Sequence, residues 1–293
     1  MTAVFSCLPR TRYGVKRYAF SDPCHCVQHA HHRGHAVSEK RRENPTAMLA
    51  VNYVTCCLCS WLAAGMPNPV PAQEGVPMAM LLGVVAGALF LGGFVLLQWN
   101  LPRNGVVLSA TFQKLGVIVP TVMAILFFGE TPRILQVIGI VLTLLAIVFM
   151  QGKGDKAGSL AGLIGLLLCG GLADTMSKIY AQYGPAGLED HYLLYTFFVA
   201  LVLCIILCVK RGEKLTLKDT LWGLAVGVPN YLSALFLLRA MATVPAVVAY
   251  PTFSVGTIVC VAVAGAVLFH EKLSRRKLYC LGMILVALVL LNV

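Results

Sequence analysis

Blocks of about twenty apolar residues recur along most of this 293-residue chain. A helix of that length crosses the hydrocarbon core of a bilayer, which is roughly 30 Å thick. The sequence is 58% hydrophobic and 12% charged, whereas a soluble domain is nearer half apolar and about a quarter charged. We therefore predict an all-α polytopic membrane protein that lies in a lipid bilayer.

The apolar blocks predict about nine membrane spans. They are 46–64, 76–98, 105–128, 133–151, 158–181, 191–209, 217–239, 244–269 and 275–292.

Lysine and arginine are distributed unequally between the two sets of alternate loops. One set carries eleven of them and the amino-terminal tail on the same side adds eight, whereas the opposite loops hold only Arg133 and Arg239. Cytoplasmic loops are enriched in Lys and Arg, so we predict a multi-pass protein of the cell (inner or plasma) membrane. Its amino-terminal tail is then cytoplasmic, and an odd number of spans leaves the carboxyl terminus outside. The net charge of +11 thus reflects membrane orientation, and we predict no nucleic-acid partner.

Residues 1–45 form a basic tail rich in Cys and His, with no apolar run long enough to span a membrane. No hydrophobic segment typical of a signal peptide follows its basic start. The stretch "CHCVQHAHHRGH" at 24–35 contains metal-ligating residue types, but their spacing matches no zinc-binding framework. We therefore predict no metal site. Because the chain also has no GKS/T, HExxH or GxSxG motif, we predict no cofactor and no enzymatic activity.

Two segments of the chain are related by an internal duplication. "GVVLSATFQKLGVIVPTVMAILFFGE" at 105–130 aligns without gaps on "AVVAYPTFSVGTIVCVAVAGAVLFHE" at 246–271, with seven identities in twenty-six positions. Both segments close on a glutamate, Glu130 or Glu271. The second copy comes five spans after the first, an odd number, so the two have opposite orientations, as in the inverted repeats of secondary transporters.

An apolar-apolar-x-Glu span end, a tight turn and a short closing span, present twice in register, resemble the EamA-like branch of the drug/metabolite transporter superfamily. The resemblance covers roughly 46–293. It implies a ten-helix transporter fold of two inverted five-helix repeats, which carries small metabolites, amino acids or drugs. On this basis 46–151 is the first, incomplete repeat and 152–293 is the second.

The first repeat departs from this pattern because it has four spans where the second has five. The helix equivalent to 158–181 is missing, and the basic tail stands in its place. We expect residues 1 to about 37 to be a replaced or misread amino terminus, such as a frameshift.

Ionisable residues inside the spans are the first candidates for function. A charge at mid-membrane costs on the order of 2.5–3.5 kcal/mol on insertion scales, so such residues usually face a cavity or a partner. Lys114, flanked by Thr111 and Gln113, is the leading candidate for substrate binding, since a lysine attracts a carboxylate or phosphate. Asp174 and Lys178 lie four residues apart on one helix face, where they can pair. Asp174 is a candidate for substrate binding, and both are candidates for ion coupling.

Neutral polar residues add further candidates for substrate binding. Asn52-Tyr53 and Asn230-Tyr231 place an amide and a phenol inside two spans, where they either contact a ligand or join helices. A polar stripe on the penultimate span adds Tyr250 and Ser254. We expect Glu130 and Glu271 to be structural, and the glycine pairs Gly83/Gly87 and Gly223/Gly227 to mark close helix packing.

These observations favour a secondary transporter for a small molecule, with an amino acid or another carboxylated compound preferred and export as the direction. Without an ATP-binding motif, the energy comes from a gradient. Two alternatives stay open: a non-transporting or inactive membrane protein that lacks its first helix, and a metal-ion transporter that uses the His-rich tail. The sequence also leaves open whether the chain forms a homodimer.

Overall fold

A computed structural model describes residues 45–65, 68–150, 159–268 and 275–291. In these residues every regular element is an α-helix. The predicted all-α fold is therefore confirmed, whereas the tail up to residue 44 and Glu271 lie outside the described residues. The helices are α1 (Pro45–Ala63), α2 (Val76–Leu115), α3 (Ile118–Phe127), α4 (Ile134–Met150), α5 (Leu160–Tyr183), α6 (Glu189–Arg211), α7 (Leu217–Thr243), α8 (Ala246–Leu268) and α9 (Arg275–Leu291).

Five of the described helices are long and apolar enough to cross a membrane, and shorter apolar helices cover Phe112–Phe127 and Ile134–Ala146. The outer faces of the bundle carry large exposed apolar side chains, for instance Ile134, Phe127 and Phe236. Such faces are compatible with lipid tails, which are as apolar as leucine. The fold is thus that of a multi-pass membrane protein.

Helix α2 bends back on itself, although its backbone is helical from Val76 to Leu115. Gly92 approaches Cys169 of α5, and Gly116, directly after α2, approaches Gly171 of the same helix. A straight helix would place positions 92 and 116 roughly 36 Å apart, at about 1.5 Å per residue. The first limb of α2 therefore corresponds to the span predicted at 76–98, and the second limb together with α3 corresponds to the span predicted at 105–128.

The bend removes the loop that was expected between those two spans. Pro102 and Gly105 lie between the two contacts with α5, and proline or glycine is a usual cause of a sharp kink. Asn104 holds the bend against the start of α5, because its side chain accepts a 2.8 Å hydrogen bond from Ser159 N and donates to Ser159 O at 3.2 Å. The second limb is interrupted again at Gly116, where α2 ends before α3 begins.

The bundle has two ends. We call the end where α1 begins the near end and the end where α8 begins the far end. At the near end, Thr46 in the first turn of α1 meets Arg211 at the close of α6. At the far end, Glu130 in the α3–α4 loop meets Lys178 near the close of α5 and Ala246 at the start of α8. The chain passes between the ends with each helix or helix limb, except that the second limb of α2 and the short α3 together make one passage.

The first limb of α2 and helix α7 are equivalent in the two repeats, and each carries a glycine pair. The pair allows each of them to pack closely on a helix of the other repeat. A Cβ at Gly83 would lie 2.7 Å from Tyr195 Cβ of α6, and one at Gly223 would lie 2.6 Å from Val51 Cβ of α1. Gly87 and Gly227 make similarly close approaches one turn later on the same two helices. The prediction that these glycines serve close helix packing is confirmed.

Candidate functional site

A small cavity lies inside the bundle between α2, α5, α6 and α7. The volume open to the centres of water-sized molecules is about 20 Å³. This volume is enough for one or two waters and too small for a metabolite. Asp174 supplies a charged side chain to its lining. The full lining is Phe90, Asp174, Ser177, Tyr192, Leu193, Thr196, Ser233, Ala234 and Leu237.

Lys114 lies on the second limb of α2, within the range at which its charge influences Asp174. Its Nζ atom is buried and has no hydrogen-bond partner among the described residues. A buried ammonium group without a partner costs several kcal/mol. Contact of Lys114 with a substrate stays a prediction, and this buried amine is the feature on which it depends.

Tyr250 comes from a third helix, α8, and contacts the backbone of Asp174. Its hydroxyl donates a 2.6 Å hydrogen bond to the backbone carbonyl of Asp174, and its side chain is almost fully buried. Lys114, Asp174 and Tyr250 thus come from α2, α5 and α8, and the structure brings three of the predicted site residues together.

Of those three residues only Asp174 lines the cavity, and the other predicted residues nearby do not line it either. Gln113 and Ser254 are half-buried on α2 and α8, outside the set of lining residues. The side chain of Thr111 lies outside the described part of the chain. For these three residues substrate contact stays a prediction.

Asn52 and Asn230 bind each other across the interface of α1 and α7. Asn230 Nδ2 donates to Asn52 Oδ1 at 3.3 Å, and Cys56 donates through Sγ to Gly227 O at 3.3 Å. Tyr53 is fully buried with its ring 6.4 Å from that of Phe197. This arrangement is typical of polar residues that join helices in a membrane.

Tyr231 contacts a residue at the start of α6. Its hydroxyl lies 3.5 Å from Asp190 Oδ1 at the start of α6. None of Asn52, Tyr53, Asn230 and Tyr231 lines the cavity of Asp174, so the structure does not bring these four predicted site residues to it.

The expected pair of Asp174 and Lys178 is not the one that the structure contains. Lys178 Nζ lies 2.7 Å from Glu130 Oε1, because the α3–α4 loop brings Glu130 over the same face of α5. Burial alone would raise the pKa of the Glu130 carboxyl. The hydrogen bonds from Lys178 and from two backbone amides outweigh burial and lower that pKa.

Glu130 caps a helix of the opposite repeat rather than the one that follows it. Its carboxylate accepts hydrogen bonds from Ala246 N at 3.0 Å and from Val247 N at 2.9 Å, the first amides of α8. Negative charge at a helix N-terminus is favourable. The expected structural role is thus retained, but its partner is 116 residues away in sequence.

Several cavity residues were not among the sequence candidates. Tyr192 and Thr196 of α6 follow the same four-residue spacing as Tyr250 and Ser254, and Ser177 lies three residues after Asp174. These spacings are the signal that would have indicated them. Tyr192 also stacks on Tyr180, with ring centroids 4.2 Å apart, so one wall of the cavity is fixed.

The described residues contain no group of three or more Cys, His, Asp or Glu side chains that could hold a metal ion. The segment 24–35, on which the metal-transporter alternative depends, lies outside the described residues.

Comparison with known proteins identifies relatives of the whole membrane region. A sequence profile of the EamA-like transporter family matches residues 37–151 and again residues 156–293. An uncharacterised protein of Haemophilus influenzae is 26% identical over 252 residues, which are 80% of this chain and 84% of that protein. A solved crystal structure superposes with a TM-score of 0.66 at 12% identity, covering 85% of this chain and 88% of its own. At that identity the superposition shows the fold alone.

Proposed function

We propose that this chain, which belongs to the EamA-like transporter family, is a secondary transporter that binds its substrate between Lys114 and Asp174. The observation that carries the proposal is the buried Lys114 amine, which has no hydrogen-bond partner among the described residues and lies within electrostatic range of Asp174, a lining residue of an internal cavity. The family match supports a membrane transporter of the drug/metabolite type. The two charges favour a particular substrate within that type.

The substrate that fits opposite charges on facing helices is a zwitterion such as an amino acid. Its carboxylate would bind Lys114 and its ammonium group would bind Asp174, so neither protein charge would stay uncompensated. Tyr250 fixes the backbone at Asp174, and the hydroxyls of Ser177 and Ser233 offer further hydrogen bonds from the lining. Export is the preferred direction.

The cavity is too small to hold such a molecule in this conformation. The two repeats would therefore have to move apart, first at one end and then at the other, as in alternating access. Asp174 lines the cavity and is the candidate for a coupling proton. Lys178, which is committed to Glu130, serves better as a structural partner than as a coupling group.

Counterflow in proteoliposomes tests the proposal. Labelled amino acids and small organic anions are screened with wild type, with Lys114→Met and with Lys218→Met, a control that changes an exposed lysine at the start of α7. We expect uptake that falls at least about tenfold in Lys114→Met, equivalent to roughly 1.4 kcal/mol, and that is unchanged in Lys218→Met. Equal uptake in all three proteins would remove Lys114 from the substrate path.

Competition with modified substrates tests the zwitterion. An amino acid should compete for uptake, whereas its amide, which has no carboxylate, and its N-acetyl derivative, which has no ammonium group, should compete weakly. Strong competition by the N-acetyl derivative would leave an anion transporter in which Asp174 does not bind substrate.

A further inference from the structure

Two glutamates hold the repeats together, one at each end of the bundle. At the far end, Glu130 accepts hydrogen bonds from the amides of Ala246 and Val247 and forms a 2.7 Å ion pair with Lys178. We name these four residues the Glu130 clasp. The side chains of the ion pair are only 10% and 13% exposed. A first-repeat loop is therefore fastened to α8 and α5 of the second repeat.

The near end carries a second clasp of the same chemistry, the Glu213 clasp. Glu213 accepts hydrogen bonds from Thr46 Oγ1 at 2.9 Å and from Ala47 N at 3.1 Å, and so caps α1. Arg211 lies 3.9 Å from Glu213 Oε1 and donates to Thr46 Oγ1 at 3.0 Å. Arg211 also donates to Gln98 Oε1 of α2. Here a second-repeat loop is fastened to two helices of the first repeat.

The two clasps are reciprocal. Each consists of a glutamate in a loop of one repeat, one or two amides at the start of a helix in the other repeat, and a basic side chain. The basic side chain comes from the other repeat at Glu130 and from the same repeat at Glu213. Glu130 satisfies two amides and Glu213 satisfies one, none of which has a partner within its own helix. Each glutamate also places negative charge at the positive end of a helix dipole. The cavity of Asp174 lies within the bundle that they close.

Opening either end would separate the elements that its clasp joins. Water can solvate the carboxylate, the amides and the basic side chain once they part, so the net cost of opening is modest compared with the gross strength of these contacts. While a clasp is closed, it holds a loop of one repeat against helices of the other repeat at that end. Charged contacts that exchange protein partners for water are suited to a repeated cycle.

We propose that the Glu130 and Glu213 clasps are the two gates of the transport cycle, each of which opens only while the other is closed. This inference rests on the proposed function. The Glu130 clasp is the tighter gate, because it combines two amide hydrogen bonds with a shorter and less exposed ion pair.

Access to the cavity from each side tests the gates. Ser233→Cys places a thiol in the cavity lining, and a charged, membrane-impermeant methanethiosulfonate is applied from one side of vesicles of known sidedness. Labelling at position 233 is measured by peptide mass spectrometry, which separates it from labelling of the native cysteines. The variants compared are Ser233→Cys alone and the same protein with Glu130→Gln or with Glu213→Gln.

We expect Glu130→Gln to raise labelling at least about fivefold from one side only, and Glu213→Gln to raise it from the opposite side only. An increase from the same side in both variants, from both sides in either one, or from neither side would overturn the proposal. The prediction does not depend on which end is cytoplasmic.

Crosslinking provides a second test that does not depend on weakening the fold. Glu130→Cys with Ala246→Cys, and separately Glu213→Cys with Ala47→Cys, are joined by a short bifunctional thiol reagent. We expect each crosslink to block labelling at position 233 from its own end while labelling from the other end persists. Unchanged labelling from the crosslinked end would overturn the proposal. Because labelling requires no substrate, failure of the gates is distinguishable from failure of the transport assay.

Discussion

Two polar clusters inside the bundle differ in how their polar groups are used. Asn52 and Asn230 are neutral and bind each other between α1 and α7. Lys114 and Asp174 are charged, the Lys114 amine has no hydrogen-bond partner in the described part of the chain, and Asp174 lines a cavity. The first cluster resembles a joint between helices, and the second resembles a site that awaits a ligand.

The difference teaches that a polar residue in a membrane span is ambiguous until its partners are known. The first cluster is not fully satisfied either, since Asn230 Oδ1 and the Tyr53 hydroxyl are buried without hydrogen-bond partners among the described residues. An unpaired neutral group, however, costs only about 1–3 kcal/mol. A buried charge without a hydrogen-bond partner costs several kcal/mol, so a protein has more reason to keep it for function.

The largest expected effect is a loss of transport in Lys114→Met without a loss of stability. Lys114→Met replaces an unpartnered buried amine with an apolar chain of similar length, so thermal unfolding in detergent should occur at the same or a higher temperature. Substrate counterflow should fall at least about tenfold. A variant that unfolds at a clearly lower temperature and still transports would show that Lys114 is a structural lysine, like the residues of the first cluster.

The contact between α5 and the start of α3 lies beside the cluster of Lys114 and Asp174, so a substitution there should affect both stability and transport. A Cβ at Gly171 would lie 2.5 Å from Gly116 O and from Val119 Cβ, whereas one at Gly170 would have nothing within 4 Å. Gly171→Ala should therefore lower the free energy of unfolding by about 1–3 kcal/mol through overpacking and should also weaken transport, since the contact lies close to Lys114 and Asp174.

Gly170→Ala is the matched control on the adjacent position of the same helix. It should leave both unfolding and transport near the wild-type values. If the two variants behave alike, the close approach of α5 to Gly116 does not hold the site in place.

The joint between α1 and α7 predicts a smaller effect, confined to stability. Asn230→Leu removes the hydrogen bond to Asn52 across the helix interface and leaves Asn52 Oδ1 with only the Cys56 thiol of its own helix as a partner among the residues described. It should lower the free energy of unfolding by about 0.6–1.7 kcal/mol, the range for hydrogen bonds between membrane helices. Asn52→Leu with Asn230→Leu should restore much of that loss, because no buried amide is then left unpaired. Both variants should transport. Loss of transport in the folded double variant would place this pair in the substrate path after all.

The sequence predicts the helices and the duplication well because both depend on features that are visible in the sequence itself. These are the apolar blocks and the two aligned segments. The sequence also predicts the close packing at Gly83 and Gly223. It does not identify the partner of Glu130, because the amides of Ala246 and Val247 approach only after the two repeats have packed together. Lys178 shows the same limit, since its four-residue spacing from Asp174 indicates a local pair that the tertiary contact with Glu130 replaces.

The cavity was only partly predictable for a related reason. Lys114 and Asp174 are conspicuous in apolar spans, whereas Tyr192, Thr196 and Ser233 are ordinary residues whose common direction depends on the packing of α6 and α7. A hydroxyl on a membrane helix often bonds its own backbone, as Thr196 does with Tyr192 O. Composition therefore does not distinguish these residues from structural ones.

Two tyrosines with equivalent hydrogen bonds give the smallest and most specific comparison. The Tyr250 hydroxyl donates to Asp174 O at 2.6 Å beside the site, and the Tyr180 hydroxyl donates to Pro185 O at 2.8 Å away from it. Tyr250→Phe and Tyr180→Phe should each lower the free energy of unfolding by about 0.5–1.5 kcal/mol.

Transport should distinguish the two tyrosine variants although unfolding does not. Loss of the Tyr250 hydroxyl frees the backbone at Asp174, so the substrate concentration for half-maximal uptake should rise several-fold in Tyr250→Phe. In Tyr180→Phe it should stay at the wild-type value. An equal rise in both would mean that transport responds to general loosening of the bundle, and the distinction between a joint and a site would then rest on Lys114 alone.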